Sequence, residues 1–378
     1  MALVVDELRK LVAWPTVSNR PLVALASHMA ERAEQLGFRV ERFDSPTEGG
    51  KTNIVASIGP AGTEGLVLSG HMDVVPTENQ PWSSDPFQLT ERDGRLYGRG
   101  AADMKGFLAA TMHALDRIPA SAYQRELVLV WTHDEEVGCL GSAQLAQSMA
   151  AEGRTLPKAC LIGEPTDFQV LRMHPGHVGV AVEVTGQAAH SSRPDLGVNA
   201  LEAASTIVQS LRQLARQLTE ERSLEEFLDR PWVAFNIARI QGGSAINSVP
   251  DRCRIEIGYR PLPGMQAEDV YERISERVRD LDLGRARASV ELLRVTPALL
   301  TPEGTPLSHL LDEHAAPCSC PAASFATDGG NLAALGSEPL IFGPGSITVA
   351  HQADEWIGAR DLIRAVDVIE SVVRAACC

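Results

Sequence analysis

Apolar and polar positions alternate with three different rhythms along the chain. Val5–Ala13 and Pro21–Leu36 carry apolar residues at helical spacing, and each is closed by a breaker, Pro15 and Gly37. Phe38–Phe43, Asn53–Ile58 and Leu66–Leu68 then read as strands separated by Pro, Gly and Glu turns. A loop from Val75 to Arg95 leads to the helix Met104–Leu115, the strand Glu126–Thr132, the helix Ser142–Ala151 and the strand Ala159–Ile162. This is an α/β alternation. Near Gly176 the rhythm changes: strands Val178–Val184, Trp232–Ile240, Cys253–Tyr259 and Ala288–Val295 are interleaved with only two helices, Val198–Leu218 and Ala267–Leu281. That order suits a small α+β domain with an antiparallel sheet. The tail returns to α/β with the helix Pro306–His314, the segment Ser324–Leu335, the strand Pro339–Phe342, the loop Gly343–Glu355 and the helix Ala359–Ala375. The expected organisation is one domain over 1–175 and 291–378, interrupted by a second over 176–290.

The polar residues at the strand ends carry the chemistry. In a strand, alternate side chains share a face, so where Leu66-Val67-Leu68 runs into Ser69-Gly70-His71-Met72-Asp73, His71 and Asp73 point the same way. Asp103 follows the glycine-punctuated loop Gly98-Arg99-Gly100 and stands just ahead of a helix, whose start can present its carboxylate beside the strand end. The next strand ends in His133-Asp134-Glu135-Glu136, the one after in Gly163-Glu164, and His351 lies in the late loop. Taken singly, each has a bland explanation as a satisfied buried histidine, a loop cap or a solvated turn. Three successive strands ending in carboxylates are not demanded by periodicity or solvation. A nitrogen- and carboxylate-rich set without cysteine suits Zn²⁺, Co²⁺ or Mn²⁺. It offers enough ligands for two ions sharing a bridging carboxylate, a device that activates water and stabilises an oxyanion. Adjacent Glu135 and Glu136 face different ways, so one can bind metal while the other stays free as a base.

Composition narrows the class. At 378 residues, two domains are the prior, and 44% hydrophobic with 22% charged residues is ordinary for a globular chain. A formal charge of −15 without a basic block argues against nucleic-acid and anionic-membrane partners. No signal-type segment or membrane-length apolar run is evident, and a cytoplasmic enzyme is expected. The seven cysteines are odd in number and show no framework spacing, so they read as reduced thiols.

The motifs Ser69-Gly70-His71-Met72-Asp73-Val74-Val75-Pro76, Gly98-Arg99-Gly100 through Asp103-Met104-Lys105-Gly106, Asp134-Glu135-Glu136, Gly163-Glu164-Pro165, Gly243 through Asn247 to Pro250, Arg260-Pro261-Leu262-Pro263-Gly264 and Ala350-His351-Gln352-Ala353-Asp354-Glu355 resemble a known family. It is the cocatalytic zinc hydrolase family that includes acetylornithine deacetylase, succinyl-diaminopimelate desuccinylase and glutamate carboxypeptidases. The resemblance spans essentially the whole chain. It implies a mixed-sheet, zinc-peptidase-like α/β catalytic domain with an inserted, smaller α+β dimerisation or lid domain. It further implies two divalent ions, Zn²⁺ or Co²⁺, with Asp103 bridging, His71 and Glu164 on one ion and Glu136 and His351 on the other. Asp73 would orient the His71 imidazole, and Glu135 would be the general base. His190, in a homodimer, would stabilise the oxyanion in the partner's active site, while Asn247 and Arg260 would bind the substrate carboxylate. The implied reaction is hydrolysis of the amide of a small N-acyl amino acid, first N-acetylornithine, with N-succinyl-diaminopimelate or a dipeptide as alternatives. A metal- or peptide-binding protein that had lost catalysis would lack the base or a ligand, and none is missing.

Overall fold

The computed structural model describes residues 2–18, 20–224 and 227–378. Contacts divide the chain into two compact units: one holds everything up to Met173 with Thr301–Pro321 and Thr327–Cys378, the other His174–Leu300 with Ala322–Ala326. Among the described residues no helix is long and apolar enough to cross a membrane.

The first unit is built on a six-stranded mixed sheet in the spatial order Arg39–Asp44, Thr52–Ile58, Glu126–Thr132, Gly65–His71, Ala159–Ile162, Glu338–Ile341. The first two pairings are antiparallel and the remaining three parallel. Its central strands carry unbroken apolar runs, Leu66-Val67-Leu68 and Leu127-Val128-Leu129-Val130-Trp131, because both faces are covered. Val55, Val67, Val128, Val130 and Ile162 turn to one face and pack with Leu145 and Met149 of the helix Leu140–Ala151 and with Leu332. Ile54, Leu66, Leu68, Leu127, Leu129 and Trp131, one residue out of phase, turn to the other. There they meet Leu8 and Leu11 of Ala2–Val12, Leu108 and Met112 of Lys105–Leu115, and Val366 and Val373 of Ala359–Cys377. Each such leucine or valine contributes about 1.5–3 kcal/mol by leaving water.

Strand register decides what converges. His71 sits opposite Thr132 across one parallel pairing, and Ser69 opposite Ile162 across the other. The segments 71–73, 133–136 and 163–164 therefore leave the sheet at one edge. Glu338–Ile341 runs parallel beside Ala159–Ile162, so the loop that carries His351 leaves at that edge too. The expected strand over residues 66–68 extends to Gly65–His71, which makes His71 a strand residue. A Cβ at its Gly70 would lie 2.8 Å from Met104 Cε and 2.9 Å from Leu108 Cδ2, so those side chains would have to shift.

The second unit is a four-stranded antiparallel sheet in the order Ala234–Gly242, Arg252–Arg260, His177–Thr185, Arg287–Thr296. Helices Ala200–Glu220 and Glu268–Asp280 cover one face through Ile207, Leu211, Leu214, Ile274 and Val278, packed with Val180, Val182, Ile255 and Ile257. The first helix begins at Ala200 rather than at the expected Val198 because the Asn199 side-chain oxygen accepts the Leu201 and Glu202 amides. The expected boundary at 290/291 falls inside a strand. Arg287–Thr296 pairs with His177–Thr185 along its length, Thr296 opposite His177, so the change of unit comes at Thr301.

Candidate metal centre

At the converging edge, two histidines approach one carboxylate from opposite sides. His71 Nε2 lies 3.0 Å from Asp103 Oδ1, and His351 Nε2 lies 3.2 Å from Asp103 Oδ2. Glu136 Oε2 is 2.9 Å from His351 Nε2, and Glu164 Oε1 is 4.0 Å from His71 Nε2. Donor atoms of His71, Asp103 and Glu136 all lie within 4.8 Å of one another, as do those of His71, Glu135 and Glu164. Sequence reading placed all six of these residues in one site, and the fold brings them together. By distance alone, Glu135 qualifies as an oxygen ligand as well as a base. Glu164 can pack this closely only because Gly163 precedes it, since a Cβ at 163 would lie 2.0 Å from the Phe107 ring.

The electrostatics fit a cation. Asp103, Glu135 and Glu164 are buried, Glu136 nearly so, and among the described residues their ion-pair partners are histidines alone. Burial, reinforced by the Glu164 charge, pushes the Glu135 carboxyl well above its ordinary range. Burial and then the Asp103 charge do the same to Glu164 and lift Glu136 to about 7. Burial opposes ionisation of Asp103 too, yet hydrogen bonds from His351 and His71 hold it well below the usual carboxylate range. Burial also works against a charged His71, but Asp103, Glu164 and Glu135 outweigh it and raise its pKa. Hydrogen bonds to Asp103 and Glu136 raise half-exposed His351 to about 10. Four desolvated carboxylates and two imidazoles, with no lysine or arginine paired to the carboxylates among the described residues, make a donor set that divalent cations satisfy. A third grouping brings Glu135 near Cys139 and Asp328. Asp328 is already engaged by Ser142 Oγ and, at 2.6 Å, by Thr132 Oγ1. The Cys139 thiol donates to Glu135 Oε1 at 3.4 Å, and burial holds its pKa well above that of a free thiol, which leaves it no nucleophile.

Supports behind the site were only partly anticipated. Asp73 lies beside His71, whose Nδ1 is 2.9 Å from the Asp73 carbonyl. Its carboxylate accepts the Glu135 amide at 3.0 Å, the Glu136 amide at 3.3 Å and Ser18 Oγ at 2.7 Å. It therefore anchors both the histidine and the acidic turn. His133, unassigned from sequence, contacts Asp134 Oδ2 through Nδ1 at 3.1 Å and Gln144 Oε1 through Nε2 at 3.3 Å. Lys51 donates to Asp134 Oδ1 at 2.5 Å, with both side chains only 2% exposed. Asn53 accepts the His133 amide and donates to the Gly141 carbonyl, closing the turn that carries Glu135 and Glu136. Lys51, Asn53 and Ser18 left no signal in the sequence, because a lysine or asparagine in a strand lead-in is ordinarily solvated.

The remaining three expected residues belong to the second unit. His190 is exposed on the short strand Ala189–His190, opposite Ser248, with Nδ1 2.8 Å from Ser192 Oγ. The Ser191 amide donates to the Asn247 carbonyl at 3.1 Å, so His190 and Asn247 are neighbours. Arg260 ends the strand Arg252–Arg260, half-buried, and its charge adds to burial, the larger cause, in depressing the pKa values of both His174 and His177.

Comparison with known proteins agrees with this geometry. Residues 67–375 match the model of peptidase family M20/M25/M40. The acetylornithine deacetylase of Myxococcus xanthus is 36% identical over 376 residues, 98% of this chain and 96% of that protein. The acetylornithine deacetylase of Proteus mirabilis is 35% identical over 365 residues, 93% of this chain and 91% of that protein. Among solved structures, an M20 family metallo-carboxypeptidase from Sulfolobus solfataricus superposes with a TM-score of 0.77 at 17% identity, covering 99% of each chain. The Bacillus subtilis YXEP protein, a dinuclear metal-binding peptidase, superposes with a TM-score of 0.68 at 14% identity, covering 98% of this chain and 97% of that one. A histidine- and carboxylate-lined sheet edge on this fold, with a family match over most of the sequence, makes this chain a member of peptidase family M20/M25/M40 and a metal-dependent amide hydrolase.

Proposed function

We propose that the chain hydrolyses N-acetylornithine to ornithine and acetate, using two divalent ions. The observation that carries the two-ion reading is the split Asp103 carboxylate, one oxygen facing His71 and the other His351. The deacetylase names of the two curated relatives support the substrate. Asp103, His71 and Glu164 would hold one ion, and Asp103, Glu136 and His351 the other. Bound there, Zn²⁺ or Co²⁺ would supply Lewis acidity toward the amide carbonyl and a lowered pKa for water. Glu135 accepts the proton of the attacking water at its carboxylate and passes it to the leaving amine nitrogen as the C–N bond breaks. Burial and the neighbouring Glu164 charge raise the proton affinity of this carboxylate, and cations bound beside it would keep it ionised to receive the proton. Asp73 keeps Glu135 and His71 in register through the bonds described above.

Asn247 and Arg260 enter the reading as holders of the substrate carboxylate, Arg by its two-pronged fork. His190 enters as an oxyanion donor supplied across a homodimer. The second unit's exposed Leu196, Ile240 and Ile246 give such a pairing apolar surface to bury. Mixing inactive His190→Ala and Glu135→Ala chains should then restore part of the activity, and no rescue would remove the shared site.

The deciding assay is hydrolysis of N-acetylornithine, N-succinyl-diaminopimelate and a dipeptide by Zn²⁺-loaded and chelated protein. Metal-dependent preference for N-acetylornithine supports the reading, and preference for another member of the panel replaces the substrate. Metal-independent turnover, or none, overturns it.

A further inference from the structure

The buried Arg99–Glu355 pair lies outside the ligand set, yet it bonds to the backbone at Asp103 and at Gln352, the residue after His351, on both sides of the contact at Asp103 Oδ2. Glu355 Oε1 accepts the amides of Ala102 at 2.9 Å and of Asp103 itself at 3.0 Å. Glu355 Oε2 accepts the Gly100 amide at 3.0 Å and Arg99 Nη1 at 2.7 Å. Both side chains of the pair are 1% exposed. Arg99 reaches onward: Nη1 donates to the Gln352 carbonyl at 3.3 Å and Nη2 to Gln80 Oε1 at 2.5 Å. Gln80 Nε2 in turn donates to the His351 carbonyl at 2.9 Å. The loop 99–103 and the loop 351–355, remote in sequence, are thus tied together within one residue of each histidine–aspartate contact they supply.

We propose that Arg99 and Glu355 are positioning residues for the His351 half of the metal centre and set the affinity of that half selectively. This inference rests on the two-ion reading above. The selectivity follows from which ligands the pair controls. In the His351 half, two of three ligands, Asp103 and His351, hang on the Arg99–Glu355–Gln80 chain. In the His71 half, only Asp103 does, because His71 is a strand residue held at the Asp73 carbonyl and Glu164 follows its own strand. A carboxylate is required at 355 because four donors converge on it. A glutamine would turn an NH₂ toward the Gly100 amide and Arg99, or toward the Ala102 and Asp103 amides, and lose two acceptances.

The test is Zn²⁺ titration of chelated protein by calorimetry, with metal content measured after dialysis. Wild type should bind two ions. Glu355→Gln should weaken one of them about 10–100-fold, the usual cost of losing a group that orients a ligand, and leave the other within about threefold. Gln80→Ala, at a partly exposed position that leaves the buried pair intact, should weaken the same ion by about threefold or more. Should Glu355→Gln fail to fold, Gln80→Ala decides alone: wild-type affinity for both ions overturns the proposal. Equal weakening of both ions in Glu355→Gln also overturns it. A wild type that binds no Zn²⁺ overturns this inference and the reading beneath it together, whereas a wild type that binds two with unaltered variants overturns this inference only.

Discussion

Lys51→Met removes the cation of the Lys51–Asp134 ion pair and leaves every candidate ligand of the metal centre in place. The pair is 2.5 Å apart with each side chain 2% exposed, so water cannot replace the lost ammonium. Asp134 keeps His133 on its other oxygen, 3.1 Å away. Removing one partner of such a buried pair costs about 3–5 kcal/mol, since the survivor stays desolvated. That is a large share of the roughly 5–15 kcal/mol by which a domain is stable. At about 2–4 °C per kcal/mol for a unit of this size, the melting temperature should fall by about 6–20 °C. Because Asp134 adjoins Glu135, turnover at 25 °C should also fall, by about 10–100-fold, with KM changed far less. The double variant Lys51→Met/Asp134→Leu removes both charges and should regain most of the melting temperature, as apolar replacement of a buried pair is close to neutral. Circular-dichroism melts at fixed saturating Zn²⁺ and initial-rate kinetics read both quantities. A single variant that melts within about 2 °C of wild type, or a double variant no more stable than the single, refutes the reasoning.

Glu135→Gln should retain two equivalents of Zn²⁺ and lose about 10²–10⁴-fold in kcat, the span of general acid–base catalysis; loss of metal instead would make Glu135 a ligand. Gly163→Ala would set a Cβ 2.0 Å from the buried Phe107 ring, so it should cost about 1–3 kcal/mol or more and weaken metal binding through displaced Glu164; wild-type melting and metal content would contradict this. His174 is held down to about 4 by burial and then by the Arg260 charge, against the pull of its bond to the Pro175 carbonyl. Its folded pKa lies below the ordinary 6.5, so the stability it contributes is present above pH 6.5 and is lost as pH falls toward 4. The full difference amounts to about 3 kcal/mol, and His174→Gln should flatten the acid limb of a stability–pH curve; an unchanged limb would show that another group governs it.

Most of the candidate ligand residues were legible because they lie at boundaries that local sequence marks. An apolar run ends and an acid or histidine comes within a few residues: His71 after Leu66-Val67-Leu68 and Ser69-Gly70, Glu135 and Glu136 after Glu126–Thr132 and His133-Asp134, Glu164 after Ala159–Ile162 and Gly163. Strand periodicity fixes the direction of a side chain relative to its sheet, and parallel α/β alternation brings the C-terminal strand ends to one edge. Those two rules placed His71, Glu135, Glu136 and Glu164 at one edge, whereas Asp103 as a bridge and Glu135 as the base were expectations that only the family resemblance supplied. The inserted antiparallel unit was equally legible from its change of rhythm, and its last strand was expected to within a residue at each end, but the boundary expected at 290/291 lies inside that strand, because pairing with His177–Thr185 keeps the whole strand in the second unit.

What tertiary structure alone decided is which polar residues lose their water. Lys51, Asn53, Arg99 and Gln80 look like surface residues in any local window, yet Lys51 and Arg99 are almost wholly buried and each neutralises a carboxylate that braces the metal centre. His133 and Glu355 stood inside recognised motifs without a role, because their partners, Gln144 and the amides of residues 100–103, are brought to them by folding. Local sequence encodes backbone conformation and the facing of side chains, interactions that reach a few residues. Burial and the pairing of a buried charge depend on segments up to 256 residues apart, as between Arg99 and Glu355, and come into existence only when the sheet has closed.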